Sequence, residues 1–507
     1  MRADGTIELR GGRIIDVEAG AAFPDGVRIV IRGGRIEALP GLPGQPVDIR
    51  PDASIDLGGR FLIPGLFNTH CHARLVNPSL LLGPGDLVRI RRHKRAQVEA
   101  SMKDCIERGV TVVRDALAEN LRAVKNLRAR IEKGEIPGPR LVLSVLVCPE
   151  GGAHAPRRSL PDDVLMTLFG MRPVPYESEA SGIVVFPAGA GPQRVRVAVD
   201  RAVDERGADC IKFYDQREKK ITYKPGAVVM DAGQLEAAAD RARSRGLPCT
   251  MHHTTVEGFR KGVRAGLTSL VHLPFDGKLT ADDARLFLAS GCGLEPTFTV
   301  AYGYARAAAG GPRLDEARMQ RLENFRKRTY HDLAKAFWVP GLRPVFTMGM
   351  ERAFCGKLRM VGLLDVSHVY RYFAGMAVKG ADNAMALVDA GAAPRIGCGT
   401  DAGAVSLPPS AVGLELELFD FFLNDEAGKA RFGPADLLRA ATIGSARCMG
   451  LDGDFGSVEK GKTADLAVLD GNPLEDPGII GKPVAALFMG GRLVVNRCGL
   501  GTGEKTG

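Results

Sequence analysis

The sequence predicts an α/β fold: a (β/α)8 TIM-like barrel with a small β-sandwich domain built from both chain ends. Three observations lead there. Between residues 61 and 450 one unit recurs, made of a short Val/Ile/Leu-rich run, a polar loop, a helix-like stretch and a Gly. The runs are too continuously apolar for half-exposed strands, which favours a closed parallel barrel over an open doubly wound sheet. Outside that region the grammar changes to alternating strands broken by Gly-Gly turns.

Taken in order, the expected barrel strands are Phe61 to His72, Val110 to Leu117, Leu141 to Val147, Asp209 to Tyr214, Pro248 to His252, Leu267 to His272, Leu294 to Val300 and Ile396 to Asp401. Most helices between them stop at a glycine, such as Gly109, Gly207, Gly266 and Gly450, a residue that accepts the left-handed conformation closing a helix. Thr280-x-x-Asp283 reads as a capping box, and Pro434 suits the first turn of a helix running on to Met449. Hairpins are expected at Ile7 to Arg13 and around Gly33-Gly34, and the same pattern returns at Asp465 to Leu469 and Ala486 to Val495. Residues 1–60 and 451–507 are therefore assigned to the sandwich and 61–450 to the barrel. Two insertions, 148–193 and 301–379, are too long for simple loops, and each follows a strand. That places them on the face where barrel strands end and where such barrels carry their chemistry.

Composition narrows the function classes. The 507 residues are 45% hydrophobic and 25% charged, which excludes a mostly disordered chain. Lys plus Arg number 68 against 59 Asp plus Glu, a modest excess over this length that does not imply nucleic acid. The basic run Arg89 to Arg95 reads as a solvated helix face. Ten Cys occur singly, which suits reduced thiols in a cytoplasm. No apolar stretch approaches the ~20 residues that cross a bilayer, and the first residues carry no hydrophobic segment, so a cytoplasmic protein without membrane contact is expected.

Chemistry gathers at the expected strand ends. Asn68-Thr69-His70-Cys71-His72 closes the first strand, and alternation turns residues two apart to one side, so both imidazoles can reach one ion. His252 ends the fifth strand and His272 the sixth, 20 residues on, the length of one helix plus one strand. Lys212 falls near the end of the fourth strand and Asp401 at the end of the eighth. Singly, each has a structural explanation: a satisfied histidine, a lysine paired with Asp215, an aspartate capping a turn. Six independent core roles would not all select one rim.

These residues resemble the amidohydrolase superfamily, in its metal-dependent prolidase and imidazolonepropionase-like branch. The resemblance rests on His70-Cys71-His72 after Ile63-Pro64-Gly65-Leu66, on Gly207-Ala208-Asp209-x-Ile211-Lys212, on His252 and His272, and on Gly399-Thr400-Asp401. Gly456-Ser457-Val458-Glu459-Lys460-Gly461-Lys462-Thr463-Ala464-Asp465-Leu466 and Gly471-Asn472-Pro473-Leu474 extend it to the tail.

The resemblance implies two divalent metal ions, zinc first among the choices. His70, His72 and Asp401 would hold one, His252 and His272 the other, and Lys212 would bridge them as N6-carboxylysine. It implies hydrolysis of an amide or peptide-type carbon–nitrogen bond by a metal-bridging hydroxide, with Asp401 as the catalytic base. N-acyl compounds, aryl amides and dipeptides are the expected small-molecule substrates, and a homo-oligomer is expected. His154 and Tyr214 are candidate substrate contacts. His253, beside His252, should face away by alternation.

Alternatives are a cyclic-amide or lactone hydrolase, a deaminase, or a non-catalytic scaffold. Against a deaminase, Thr255 stands where a Glu would follow the fifth-strand His. The insertion 301–379 is longer than this branch usually carries, and its Tyr302, Trp338, Tyr372 and Phe373 either line an apolar mouth or form the insertion's own core or a subunit contact.

Overall fold

In the computed structural model, residues 5–45, 50–74, 84–118, 120–153, 174–218, 226–305, 317, 319–320, 372–403, 407–424, 430–501 and 503–504 are described. The first strands are β1 (Ile7–Arg10), β2 (Arg13–Asp16), β3 (Ala21–Ala22), β4 (Ile29–Arg32), β5 (Arg35–Ala38), β6 (Ala53–Asp56) and β7 (Phe61–Pro64). The next are β8 (Leu66–Cys71), β9 (Val110–Asp115), β10 (Arg140–Pro149), β11 (Ile183–Phe186), β12 (Cys210–Asp215), β13 (Cys249–His253), β14 (Ser269–Val271) and β15 (Gly293–Glu295). The last are β16 (Leu466–Leu469), β17 (Ala486–Met489), β18 (Arg492–Asn496) and β19 (Gly503–Glu504).

The two chain ends meet in two sheets, ordered β19-β6-β1-β4-β5 and β18-β17-β16-β7-β2-β3. They close over a shared apolar core that includes Leu9, Ile29, Ile31 and Ile55 from the first and Ile14, Leu62, Leu466, Val468 and Phe488 from the second. The central strands β16 and β17 of the second sheet have no wet face. The sheet's alternate residues Ile15, Ile63, Ala467 and Leu487 point the other way, into the core of the barrel. A strand buried on both sides must be apolar at successive positions, which is why Leu466-Ala467-Val468-Leu469 shows no alternation of polarity.

The barrel runs β8-β9-β10-β12-β13-β14-β15, all parallel, with β11 paired to the last residues of β10. Residues 396–402 close the ring through isolated parallel bridges, Leu294 to Ile396 on one side and Cys71 to Ala402 on the other. Helices α1 (Pro84–Glu107), α2 (Leu121–Glu132), α3 (Pro192–Asp204), α4 (Ala232–Ser244), α5 (Val256–Arg264), α6 (Ala281–Ser290), α7 (Phe298–Tyr304), α8 (Ala381–Asp389), α9 (Val412–Leu423), α10 (Pro434–Ala441) and α11 (Ile443–Met449) follow the strands. Helices α2 and α5 each bury one stripe: Leu121, Val124 and Leu127 on α2, and Phe259 and Val263 on α5. Among the described residues no helix is long and apolar enough to cross a membrane.

Three expected strands differ from those observed, the eighth, Ile396 to Asp401, being joined through isolated bridges in place of a continuous strand. The run Phe61 to His72 is two strands, β7 in the second sheet and β8 in the barrel. Gly65 separates them, and a Cβ there would sit 2.2 Å from Thr111 Oγ1, so a larger residue has no room. The run Leu294 to Val300 ends at Glu295 and continues as α7. Pro296 offers no amide proton to a ladder, and Thr297 turns the chain with φ 55°.

The expected capping box is present on α6. Thr280 Oγ1 accepts from Asp283 N at 3.3 Å, and Asp283 accepts from Thr280 N at 2.8 Å. Arg260 grips the same carboxylate with two bonds of 2.6 and 2.9 Å. The Arg260 guanidinium thereby holds the Asp283 carboxyl well below its usual range. Asp283→Ala is therefore expected to lower stability by about 1–2 kcal/mol at neutral pH, measured by urea unfolding. A depressed carboxyl pKa stabilises the fold above the unfolded value. The difference between variant and parent should therefore shrink as pH falls below about 4.

Candidate metal centre

The barrel places side chains by alternation, and β12 and β13 show how. Ile211 and Phe213 point outward into the core under the helices, leaving Lys212 and Tyr214 for the inside. On β13, Met251 lies in that same outer core and His252 alternates with it. His253 also faces outward, with its ring 5.8 Å from that of Phe259 on α5, and its Nδ1 lies 2.9 Å from the Val271 carbonyl. Burial pushes the His253 imidazole down to about 3, so it is a neutral core residue.

At the rim, His70, His272 and Asp401 converge. One donor atom from each lies within 4.8 Å of the other two, and all three residues are buried. Asp401 Oδ1 is 3.1 Å from His72 Nε2 and 3.6 Å from His70 Nε2. His252 joins this group through His272, with ring centroids 4.3 Å apart, and His272 is in turn 5.4 Å from His70. The four imidazoles form one continuous array around the carboxylate.

The backbone at this point is unusual and closely stitched. Among the described residues, His272, Thr297 and Asp401 are the only non-glycine residues with positive φ, at 69°, 55° and 49°. Such conformations cost free energy and persist where the surroundings enforce them. Asn68 supplies part of that enforcement. Its Nδ2 donates to Thr400 Oγ1 at 2.8 Å and to the Pro409 carbonyl at 2.7 Å, while Asp401 N donates to the His70 carbonyl at 2.7 Å. Gly399 permits the approach, since a Cβ there would lie 2.9 Å from the His70 Cβ.

Electrostatics set the charge states. Burial, and then the nearby Lys212, hold the His70 imidazole well below its usual range. Burial likewise brings His272 down to about 3. Burial raises the Asp401 carboxyl, but the adjacent His70 and His72 side chains more than reverse this and keep it ionised. Neutral imidazoles with an anionic carboxylate are the forms that offer lone pairs to a cation.

Lys212 is the unusual member. It is 2% exposed, and its Nζ has no hydrogen-bond partner among the described residues. Asp215 does not serve it, because Asp215 pairs with Lys261. Burial, and then the Arg114 guanidinium, bring the Lys212 ammonium down to about 7. Arg114 itself is fully buried and bound to both oxygens of Glu295, at 2.7 and 2.6 Å. The donor set thus fits divalent cations: neutral nitrogen ligands, one carboxylate, and a lysine whose amine no other described residue satisfies.

The remaining sequence candidates fall as follows. Tyr214 stacks on His252 at 3.8 Å with an interplanar angle of 13°, so its ring lies against an expected ligand. Tyr302, Tyr372 and Phe373 are buried in the main core, and Tyr372 Oη donates to Gln216 Oε1 at 3.0 Å. Thr255 caps the start of α5, its side chain accepting from Gly258 N. His154 lies outside the described residues, as do most of 301–379 and Trp338 within it. The sequence reading missed Asn68 as a brace, although it stands inside the quoted motif, and missed the Arg114–Glu295 pair, which no local spacing signals.

The sequence profile of the Amidohydrolase family matches residues 61–494. The chain belongs to the amidohydrolase family. The amidohydrolase is accordingly a hydrolase acting on carbon–nitrogen bonds. No curated protein matches its sequence.

Solved structures share its fold at low identity. A prolidase complexed with N-methylphosphonate-L-proline is 23% identical with a TM-score of 0.62, covering 97% of this chain and 100% of that one. A Xaa-Pro dipeptidase with bound methionine in the active site is 20% identical with a TM-score of 0.64, covering 96% and 99%. The A. niger ochratoxinase is 18% identical with a TM-score of 0.65, covering 97% and 96%. Together they place the amidohydrolase among barrels of one architecture over nearly its whole length.

Proposed function

We propose that this amidohydrolase is a binuclear metal-dependent hydrolase that cleaves an amide or peptide-type bond in a dipeptide, N-acyl compound or aryl amide. His70, His72 and Asp401 would hold one divalent cation, His252 and His272 a second, with Lys212 between them as N6-carboxylysine. Zinc leads the choice of metal because imidazole and carboxylate donors suit it. The prolidase and the Xaa-Pro dipeptidase of like fold support the dipeptide class.

The observation that carries the reading is Lys212. A charged ammonium buried without a partner costs roughly several kcal/mol, whereas a neutral amine is a nucleophile. Its lone pair forms an N–C bond to CO2, one C=O π pair moves to oxygen, and the nitrogen loses a proton. The lysine thereby becomes an anionic oxygen donor, a kind of ligand that divalent cations accept.

Bound cations would supply Lewis acidity toward the substrate carbonyl and make a water acidic near neutral pH. The chain's own groups do the rest. Asp401, held between His70 and His72, accepts the proton released when water attacks and delivers it to the leaving nitrogen, so the C–N bond breaks without expelling an amide anion. His253 stays outside the site.

The division into a sandwich of 1–60 and 451–507 and a barrel of 61–450 is part of this proposal, and the second sheet, packed against both, supports treating them as one enzyme. We also propose a cytoplasmic setting and a homo-oligomer. The nine described cysteines, all free thiols, support the former.

Metal analysis of protein prepared without chelator tests the central claim, and about two metals per chain are expected. Hydrolysis of a panel of dipeptides, N-acyl amino acids and aryl amides should accompany it. Protein without metal would favour a scaffold, and turnover confined to cyclic amides or lactones would favour the ring-opening alternative.

A further inference from the structure

We infer that Thr297, clamped in place by Glu415, sets the tautomer of His272 and so leaves the His272 Nε2 lone pair facing the cluster. The inference deepens the proposed function and rests on its assignment of His272 as a ligand. Both residues act by positioning, through His272.

His272 Nδ1 lies 2.5 Å from Thr297 Oγ1, and Thr297 Oγ1 lies 2.6 Å from the Pro296 carbonyl. A hydroxyl has one proton, and a carbonyl only accepts. The threonine proton is therefore committed to Pro296, and toward His272 the hydroxyl oxygen is an acceptor. His272 must carry its proton on Nδ1, which leaves Nε2 bare on the side of His70 and Asp401, with its lone pair free for a cation. A ligand imidazole whose far nitrogen is fixed in this way is aimed before any ion arrives.

Thr297 holds this position at a cost. Its φ and ψ are 55° and 47°, a left-handed conformation that a β-branched residue adopts only under constraint. The conformation is enforced from α9. Glu415 is fully buried, and its carboxylate accepts from Phe298 N at 2.7 Å, Thr299 N at 2.7 Å and Thr299 Oγ1 at 2.6 Å. Those are the two residues that follow Thr297. On the other side, His272 N donates to the Glu295 carbonyl at 2.9 Å, tying the residues before Thr297 to β14. The loop is fixed at both ends, and the hydroxyl lies between.

Two substitutions separate this role from a purely structural one. Thr297→Gly accepts the left-handed backbone without strain but removes the hydroxyl, whereas Thr297→Ser keeps it. Protein labelled with 15N-histidine and stripped of metal reports the tautomer directly, and a His272→Gln variant assigns the signal among the nine histidines. The parent and Thr297→Ser should show His272 protonated on Nδ1, and Thr297→Gly should lose that preference. With zinc restored, a chelator should strip Thr297→Gly at about 10- to 100-fold lower concentration than the parent, with Thr297→Ser near the parent. Glu415→Gln, which sets an amide N–H against either Phe298 N–H or Thr299 N–H, should shift both readouts the same way. A parent already protonated on Nε2, or a Thr297→Gly protein with unchanged tautomer and zinc retention, would overturn the inference. A parent that binds no zinc yet loses its Nδ1 tautomer in Thr297→Gly would uphold the tautomer assignment and sink the metalloenzyme reading alone.

Discussion

Asp401→Asn is expected to keep its metal and lose turnover by about 10²- to 10⁴-fold, the usual contribution of a positioned general base. An asparagine side chain retains an oxygen for a cation and for the His72 and His70 contacts at 3.1 and 3.6 Å, but it cannot accept the proton of an attacking water. Metal content by mass spectrometry and kcat on whichever substrate the panel yields check both halves together. Turnover within a few-fold of the parent would remove Asp401 as the base. Loss of metal as well as activity would mean that its charge, rather than its basicity, is what the centre needs.

Lys212→Ala is expected to have the second large effect, reducing bound metal to about one per chain or less. The substitution removes the amine and with it the proposed bridging carboxylate, while the Arg114–Glu295 pair keeps its own contacts at 2.7 and 2.6 Å. The space left should admit a small carboxylic acid. Formate or acetate added to Lys212→Ala is therefore expected to restore part of the metal binding. An unaltered binuclear site in the variant would contradict the bridging role, and a Lys212→Met variant controls for the lost packing volume.

Much of the architecture could be read because its signals are local. Glycines close the helices between strands, Thr280 and Asp283 mark a helix start three residues apart, and a two-residue spacing turns His70 and His72 to one side. The departures are just as physical. Pro296 stood within the expected seventh strand, and the cost of a proline inside a ladder was the available warning. Gly65 divides one apolar run into strands of two different sheets because of Thr111, which lies far along the chain. The braces around the centre were not legible at all. Glu415 meets Phe298 across 117 positions, and Arg114 meets Glu295 across 181, so neither pairing leaves a period or motif. His154 and the long stretch after Tyr304 belong to irregular sequence, where neither helical nor strand periodicity applies.

The second sheet, with one face toward each core, binds the fate of the termini to that of the catalytic barrel. Trimming either end would strip away β2 or the pair β16 and β17, and would uncover the neighbours of Ile15, Ala467 and Leu487 on the barrel side. Grafting new tails or shuffling the sandwich between relatives would therefore disturb catalysis from a distance, by loosening the wall beside β8 and its His70.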